Sequence, residues 1–186
     1  MSSEDFVILV NEKNGPIRAA PKLAIHNKNT PLHRGFSVFL FNSEGKLLLQ
    51  QREKSKKTWP LVWSNSVCGH PRLNETTTTA AERRLEFEIG ITDVKIYEVL
   101  PNYRYKAEYM GVVENEFCPV IAAFSDQQIR INKEEVENVR WTSWQEFLDE
   151  IKKNPENYSI WSVEEANLLS KNPKFNNLLA KHTVRK

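Results

Sequence analysis

Four histidines, a spaced pair of glutamates and two cysteines carry most of the chemistry this chain could perform. The histidines are His26, His33, His70 and His182, and three of them lie near turns or loops instead of inside apolar runs. Glu114 and Glu116 stand two residues apart in an otherwise apolar stretch, so a β-strand puts both on one face. Carboxylates held together away from water repel each other, and a divalent cation between them removes that cost. Three imidazoles and these two carboxylates could close one such site. Spacing alone leaves a second reading open, scattered surface histidines and a solvated acidic pair, because no compact zinc motif such as HExxH is present. Cys68, in Ser66-Val-Cys-Gly-His-Pro71, also has two readings: a small buried packing residue or a reactive thiol. Cys118 shares the strand face of Glu116 and is assigned to packing, since no motif selects it.

Residues 69–91, GHPRLNETTTTAAERRLEFEIGI, fit the spacing of a Nudix box, anchored by Gly69, Glu75, Arg83, Glu88, Gly90 and Ile91. In such a box a loop and a helix present carboxylates to divalent metal, and the metal neutralises a diphosphate. Two acidic positions are occupied by Arg84 and Phe87, which leaves Glu88 alone. The loop-helix module is therefore expected to persist while diphosphate hydrolysis is not. Asn74 stands where a glycine often precedes the box glutamate, and asparagine tolerates a left-handed turn there.

These groups need a scaffold, and the pattern of the chain predicts one. Residues 6–10 read as a strand stopped by a turn at 11–15. Residues 18–34, interrupted by Pro21 and Pro31, show weak periodicity. The runs 36–41 and 46–51, separated by Asn42-Ser-Glu-Gly45, predict a β-hairpin. Residues 52–71 predict a loop across one end of the sheet, anchored by Trp59 and Trp63. The clearest helix is 76–89, capped by a threonine, with Ala81, Leu85 and Ile89 on one face and Gly90 ending it in a left-handed conformation. Strands are expected at 94–100 and, as one continuous element, at 112–124, with a short strand near Arg140-Trp141. Helices are expected at 143–152, after a capping box opening at Ser162, and after Pro173. This order gives an α/β chain, a mixed β-sheet core flanked by helices.

A chain of 186 residues suits one domain spanning 1–186. With 40% hydrophobic and 27% charged residues it has an ordinary globular balance, which argues against a disordered or fibrous chain. The net charge of +2, with Lys and Arg dispersed, lacks the basic footprint of a nucleic-acid partner. No apolar run is long enough to span a bilayer, and the acid ahead of the short run VILV is unlike a secretory leader. Two cysteines do not make a disulfide framework. A cytoplasmic enzyme with free thiols, working as a monomer, is the expectation.

The sequence resembles the type 1 isopentenyl-diphosphate delta-isomerase family of the Nudix superfamily. The segments that carry the resemblance are Ser55-Lys-Lys-Thr-Trp-Pro60, Trp63-Ser-Asn-Ser-Val-Cys-Gly-His-Pro71, Tyr103-Arg-Tyr105, Glu86-Phe-Glu-Ile-Gly90 and Glu114-Asn-Glu-Phe-Cys-Pro119. It covers nearly the whole chain. It implies a Nudix-like mixed sheet flanked by helices, with an additional amino-terminal strand and carboxy-terminal helices, and interconversion of isopentenyl and dimethylallyl diphosphates. It places a metal site on His26, His33, His70, Glu114 and Glu116, with His182 left out, and the catalytic groups on Cys68, Glu116 and Tyr105. Lys22, Arg52, Lys56 and Arg83 are implied to face the diphosphate, Glu88 to hold a second metal bridged to phosphate, and Trp161 to lie beside the cationic intermediate. Imidazole-rich ligation favours Mn2+ or Zn2+ over Mg2+ at the first site, although Mg2+ remains open, while Glu88 with phosphate oxygens suits Mg2+.

Moving a carbon–carbon double bond requires a proton delivered at one carbon and another removed two carbons away. Glu116 and Tyr105 are expected to protonate from one side, and Cys68 to remove a proton on the other. An indole face at Trp161 suits the positive charge between those events. The pocket must also exclude water, which would trap the cation. The main rival is a Nudix hydrolase of a small or nucleoside diphosphate, which explains the box but not Cys68, the histidines or the Glu114/Glu116 pair. A non-catalytic binding module that kept the fold is a second rival. No signal of a flavin site accompanies these motifs.

Overall fold

The computed structural model of the chain describes residues 6–183. The acidic residues Glu4 and Asp5 ahead of VILV, and both ends of the expected 1–186 domain, lie outside the described residues. The run VILV builds β1 (Phe6–Val10), which pairs antiparallel with β2 (Pro16–Pro21). In the turn between them Asn11 Oδ1 accepts from the backbone of Lys13 and Gly15. A short helix α1 (Lys22–Ile25) and β3 (His33–Arg34) organise the stretch that lacked periodicity. β4 (Phe36–Phe41) and β5 (Lys46–Arg52) follow. The segment expected as a loop carries two short strands, β6 (Trp63–Ser64) and β7 (Val67–Gly69). Then come α2 (Thr77–Ile89), β8 (Lys95–Leu100), β9 (Arg104–Tyr109), β10 (Val112–Phe117), β11 (Val120–Phe124) and β12 (Val136–Ser143). The chain continues through α3 (Trp144–Lys153), α4 (Ile160–Leu169) and α5 (Pro173–His182). Among the described residues no helix is long and apolar enough to cross a membrane.

The strands form two sheets. One runs β2-β1-β3-β10-β9; the other runs β12-β5-β4-β11-β8, with β6 on β5 and β7 on β4. The chain crosses between the sheets three times, from β3 into β4 at Gly35, from β8 back into β9 through residues 101–103, and from β10 into β11 at Cys118-Pro119. On either side of the crossing the strands run parallel, β3 beside β10 and β4 beside β11. The single strand expected over 112–124 is thus two. Pro119 has no N–H and cannot continue a ladder. The bend keeps its backbone bonds, since Gly35 N donates to Phe117 O and Ser37 N to Pro119 O.

The expected hairpin is also corrected. β4 and β5 pair only at Phe41 and Leu47, then diverge to admit the segment carrying β6 and β7. Ser66 sits in the fork. Its hydroxyl accepts from Leu40 N at 2.7 Å and donates to Leu48 O at 2.6 Å, replacing bonds the parted strands cannot make. Asn65 Nδ2 likewise donates to Val38 O and Val67 O. A buried polar run, Ser64-Asn-Ser66, therefore belongs to the core here and not to a surface loop.

The second sheet is covered on both faces, which explains the unbroken apolar run of β4. Phe36, Val38 and Leu40 pack with Ala80, Ala81, Leu85 and Ile89 of α2. Phe39 and Phe41 face Phe147, Leu169 and Phe175 of α3, α4 and α5. α2 begins as expected, with Thr76 accepting from Thr79 N, and ends at Gly90 with φ 72°. α3 opens with a capping box of Ser143 and Glu146. The capping box expected at Ser162 does not form: α4 starts earlier, at Ile160, because Ser159 N is tied to Trp63 O. Ser162 and Glu165 are then fully buried inside the helix.

Candidate active site

The parallel pairing of β3 with β10 sets His33 directly beside Glu116. Glu114 lies on the same face of β10, His26 follows α1, and His70 follows β7. The three imidazole centroids are 4.9, 5.2 and 5.9 Å apart. His26 Nδ1 bonds to Lys22 O at 2.7 Å and His33 Nδ1 to Pro31 O at 3.0 Å, so each Nδ1 carries the proton and each Nε2 is left with a lone pair. Those Nε2 atoms face carboxylates: His26 to Glu114 at 3.0 Å and His33 to Glu116 at 3.6 Å, with His70 to Glu116 at 3.0 Å. His33 Nε2 is buried with no hydrogen-bond partner. A lone pair facing a carboxylate oxygen is two acceptors in opposition, and a cation between them resolves it. His26, His33 and His70 form one set of donors within 4.8 Å of one another, and His33, Glu114 and Glu116 form another. This nitrogen-rich donor set fits a divalent transition metal.

The charges agree with that fit. Burial pushes the His70 imidazole down to about 4, aided by the Lys22 charge, so it is a neutral donor. Burial opposes ionisation of Glu116, yet the neighbouring His33 and His70 imidazoles hold it well below the usual carboxylate range. Burial also opposes charge on His26, but the Glu114 carboxylate raises it. Gly35 is required here, because a Cβ would fall 1.9 Å from Glu116 Oε2.

Next to this cluster the core carries a group of packed aromatic rings. Tyr105 of β9 is the register partner of Glu116 in β10. It stacks on Tyr103 at 6.0 Å and meets Trp161 of α4 at 5.5 Å, and Trp161 meets Trp59 edge-on at 5.2 Å. Cys68 comes from the other sheet, on β7 beside Ser37 of β4. Its Sγ donates to Asn65 Oδ1 at 3.2 Å, the same oxygen that accepts from Trp161 Nε1 at 3.2 Å. Burial and then the Glu165 carboxyl push the Cys68 thiol up to about 12, so it is an S–H at neutral pH. Burial, with Glu116 and Glu114 nearby, also raises the Tyr105 phenol well above its usual value.

A basic wall follows. Arg52 donates to Thr58 O and Trp59 O and lies 5.6 Å over the Trp161 ring. Lys56 pairs with Glu135 at 2.5 Å. Arg84 bridges Glu135 at 3.0 Å and Glu88 at 2.6 Å, and the second Glu88 oxygen accepts from Gln50 at 2.7 Å. Arg83 is directed elsewhere: it binds Glu75 through two 2.7 Å bonds and also reaches His70 O.

Residues 31–162 match the NUDIX domain family. The chain is 42% identical over 165 residues to the isopentenyl-diphosphate Delta-isomerases of Salmonella typhi and Salmonella enteritidis PT4, covering 88% of this chain and 91% of theirs. The chain belongs to the isopentenyl-diphosphate Delta-isomerase family, within the Nudix superfamily. The fold is shared more widely. A solved Deinococcus radiodurans protein aligns with TM-score 0.63 at 20% identity over 80% of this chain and 90% of its own. The E. coli dihydroneopterin triphosphate pyrophosphohydrolase aligns with TM-score 0.52 at 17% identity over 71% and 90%.

Within this isomerase-family chain, His26, His33, His70, Glu114 and Glu116 converge, and Tyr105, Trp161 and Cys68 pack in the adjoining aromatic cluster. Glu88 does not join the five ligands; its carboxylate is engaged by Arg84 and Gln50. Arg83 is committed to the box loop, while Arg84, read from sequence only as a lost acid, shares the wall with Lys56 and Glu88. The spacing of Arg84 and Glu88, four apart on a helix, carried that signal. Asn65, Ser37 and Glu165 were not foreseen, because each matters through contacts made across the fold.

Proposed function

We propose that the chain interconverts isopentenyl and dimethylallyl diphosphate by proton transfer at two faces of the bound alkene. The observation that carries this reading is the division of labour between the sheets. Tyr105 and Glu116 come from β9 and β10 of one sheet, and Cys68 comes from β7 of the other, with Trp59, Trp161 and Tyr103 in the same packed cluster as Tyr105 and Cys68. Each face has one carbon-directed proton site, and the aromatic walls suit a transient tertiary cation. The sequence-based assignment has Glu116 and Tyr105 protonate while Cys68 accepts, and it needs a protonated Glu116 with Cys68 as thiolate. The complementary state, Cys68 as thiol and Glu116 as carboxylate, is the one the surroundings favour without substrate or metal, and it serves the reverse direction.

His26, His33, His70, Glu114 and Glu116 would hold a divalent ion, Mn2+ or Zn2+ by donor type, which would fix the Glu116 carboxylate and its charge. Lys22, Arg52, Lys56 and Arg84 are the cations that meet the diphosphate, and Glu88 offers its carboxylate to a phosphate-bound Mg2+. Arg83 supports them indirectly by fixing the loop that carries His70. The hydrolase reading lacks its acids: Arg84 and Phe87 occupy those positions, and the Phe87 ring lies 5.1 Å from the Arg84 guanidinium. One catalytic domain acting as a cytoplasmic monomer completes the reading, supported by an ordinary globular composition and two free cysteines.

A proton NMR time course in deuterated buffer with Mg2+, Mn2+ and isopentenyl diphosphate tests the reading. Dimethylallyl diphosphate carrying deuterium is expected, with losses of about a hundredfold or more in Cys68→Ala and Glu116→Gln. Release of phosphate or a monophosphate would instead make the chain a hydrolase.

A further inference from the structure

Glu165 has no part in the reading above, yet it is fully buried on α4, beside Cys118. Among the described residues it has no ion-pair partner, and its Oε2 has no hydrogen-bond partner. An unpaired carboxylate in such a place is costly, so the acid keeps its proton. Burial, with Glu116 and Glu164 nearby, pushes it well above the usual carboxylate range, against a smaller opposing effect of Ser37.

From Glu165 a continuous line of proton carriers leads to the active thiol. Glu165 Oε1 lies 4.0 Å from Cys118 Sγ. Cys118 Sγ lies 3.6 Å from Ser37 Oγ, and Ser37 Oγ lies 3.6 Å from Cys68 Sγ. Cys68 then donates to Asn65 Oδ1 at 3.2 Å. The far end is fixed, because the Asn65 amide donates to Val38 O and Val67 O and must aim its oxygen at Cys68 and Trp161. Each group carries one proton, so two directions are available. With Glu165 as donor, its O–H points to Cys118, Cys118 S–H to Ser37, and Ser37 O–H to Cys68. With Glu165 as acceptor every arrow reverses, and the Cys68 proton turns from Asn65 to Ser37.

We propose that Glu165 is a positioning residue for Cys68, the head of a one-way hydrogen-bond chain that runs through Cys118 and Ser37 and ends at Asn65. In that direction Ser37 presents its O–H to the Cys68 sulfur and stabilises the thiolate formed or consumed on its face of the alkene. No proton leaves the chain; only its orientation is set. The inference rests on the isomerase reading and adds a residue that the sequence marked only as the glutamate of the capping box expected at Ser162.

Steady-state isomerisation, melting temperature and Cys68 alkylation by iodoacetamide are measured for wild type, Glu165→Gln, Glu165→Leu and Ser37→Ala. A glutamine amide still donates to Cys118, so Glu165→Gln is expected to keep kcat within about threefold of wild type. Glu165→Leu cannot donate, and kcat is expected to fall about tenfold or more at unchanged KM, with slower alkylation and no loss of melting temperature. Ser37→Ala breaks the same line and serves if the leucine variant does not fold. Unchanged kcat in Glu165→Leu overturns the proposal, as does a glutamine variant as impaired as the leucine one. A raised KM with a lowered melting temperature also overturns it, since that marks a packing role. An inactive wild type would fail the isomerase reading instead, while alkylation would still report on the chain.

Discussion

Cys68 is held as a thiol by its surroundings, and this sets its reactivity. Its ordinary thiol value is about 9, and burial with Glu165 raises it to about 12. A raised thiol is neutral below its shifted value, so the thiolate fraction at pH 7 is very small and grows tenfold per pH unit. In metal-free protein, alkylation of Cys68 by iodoacetamide is expected to be far slower than that of a free thiol at pH 7. It should keep rising past pH 9, where an unperturbed cysteine levels off; a plateau near pH 8 would contradict the burial argument. The same residue shows what sequence could carry. Its type and its neighbours Gly69 and His70 were legible as a motif, but the partners that hold its proton, Ser37 and Asn65, come from a paired strand and a fork between strands. Arg83 and Arg84 show the same limit, since they are adjacent in sequence and only the fold directs one to Glu75 and the other to Glu88.

Elements stabilised by their own sequence were the legible ones. α2 was marked by Ala81, Leu85 and Ile89 four apart, a threonine cap and Gly90, and α5 by Pro173 in its first turn. Elements that exist by pairing were not. β6 and β7 have two and three residues, and nothing local distinguishes them from loop. β4 and β5 were read as a hairpin because the turn between them is strong, while the fork beyond it depends on Ser66. Ser66→Ala would leave Leu40 N and Leu48 O buried without partners, at about 1–3 kcal/mol each. A loss of about 3 kcal/mol in urea unfolding is therefore expected, with the slope of the transition unchanged. A loss under 0.5 kcal/mol, of the size usual for a surface serine, would show that the fork does not depend on this hydroxyl. Because β7 carries Cys68 and leads to His70, the same variant should also weaken activity.

At the scale of the whole molecule, the proposed metal site depends on both sheets meeting correctly. His26 reaches it from the end of α1, His33 from β3 of the amino-terminal sheet, Glu114 and Glu116 from β10 of that sheet, and His70 from the end of β7 in the other. Ligands 90 positions apart in the chain, from residue 26 to residue 116, give no spacing signal of the compact kind; only the β3–β10 pairing brings them together. The cluster should therefore report on global stability through pH. His70 titrates near 4 when folded and at 6.5 in its ordinary state. Between those values the unfolded chain binds the extra proton, so stability is full above pH 6.5 and declines as pH falls toward 4. The drop of about 2.5 units corresponds to about 3 kcal/mol as an upper bound, or roughly 6–12 °C in melting temperature for a chain this size. His26, whose value is raised, gains stability on acidification and partly offsets the drop, while Glu116 acts in a lower window, below pH 4.5. Melting of chelator-treated protein from pH 7.5 to 4 is expected to show the decline, and His70→Gln to flatten it. Added Mn2+ or Zn2+ should raise the melting temperature at pH 7.5, and that gain should vanish over the same interval, because protons and the ion compete for the imidazoles. A metal-induced gain that persists at pH 4 would place the ion on carboxylates alone and remove the histidines from the site.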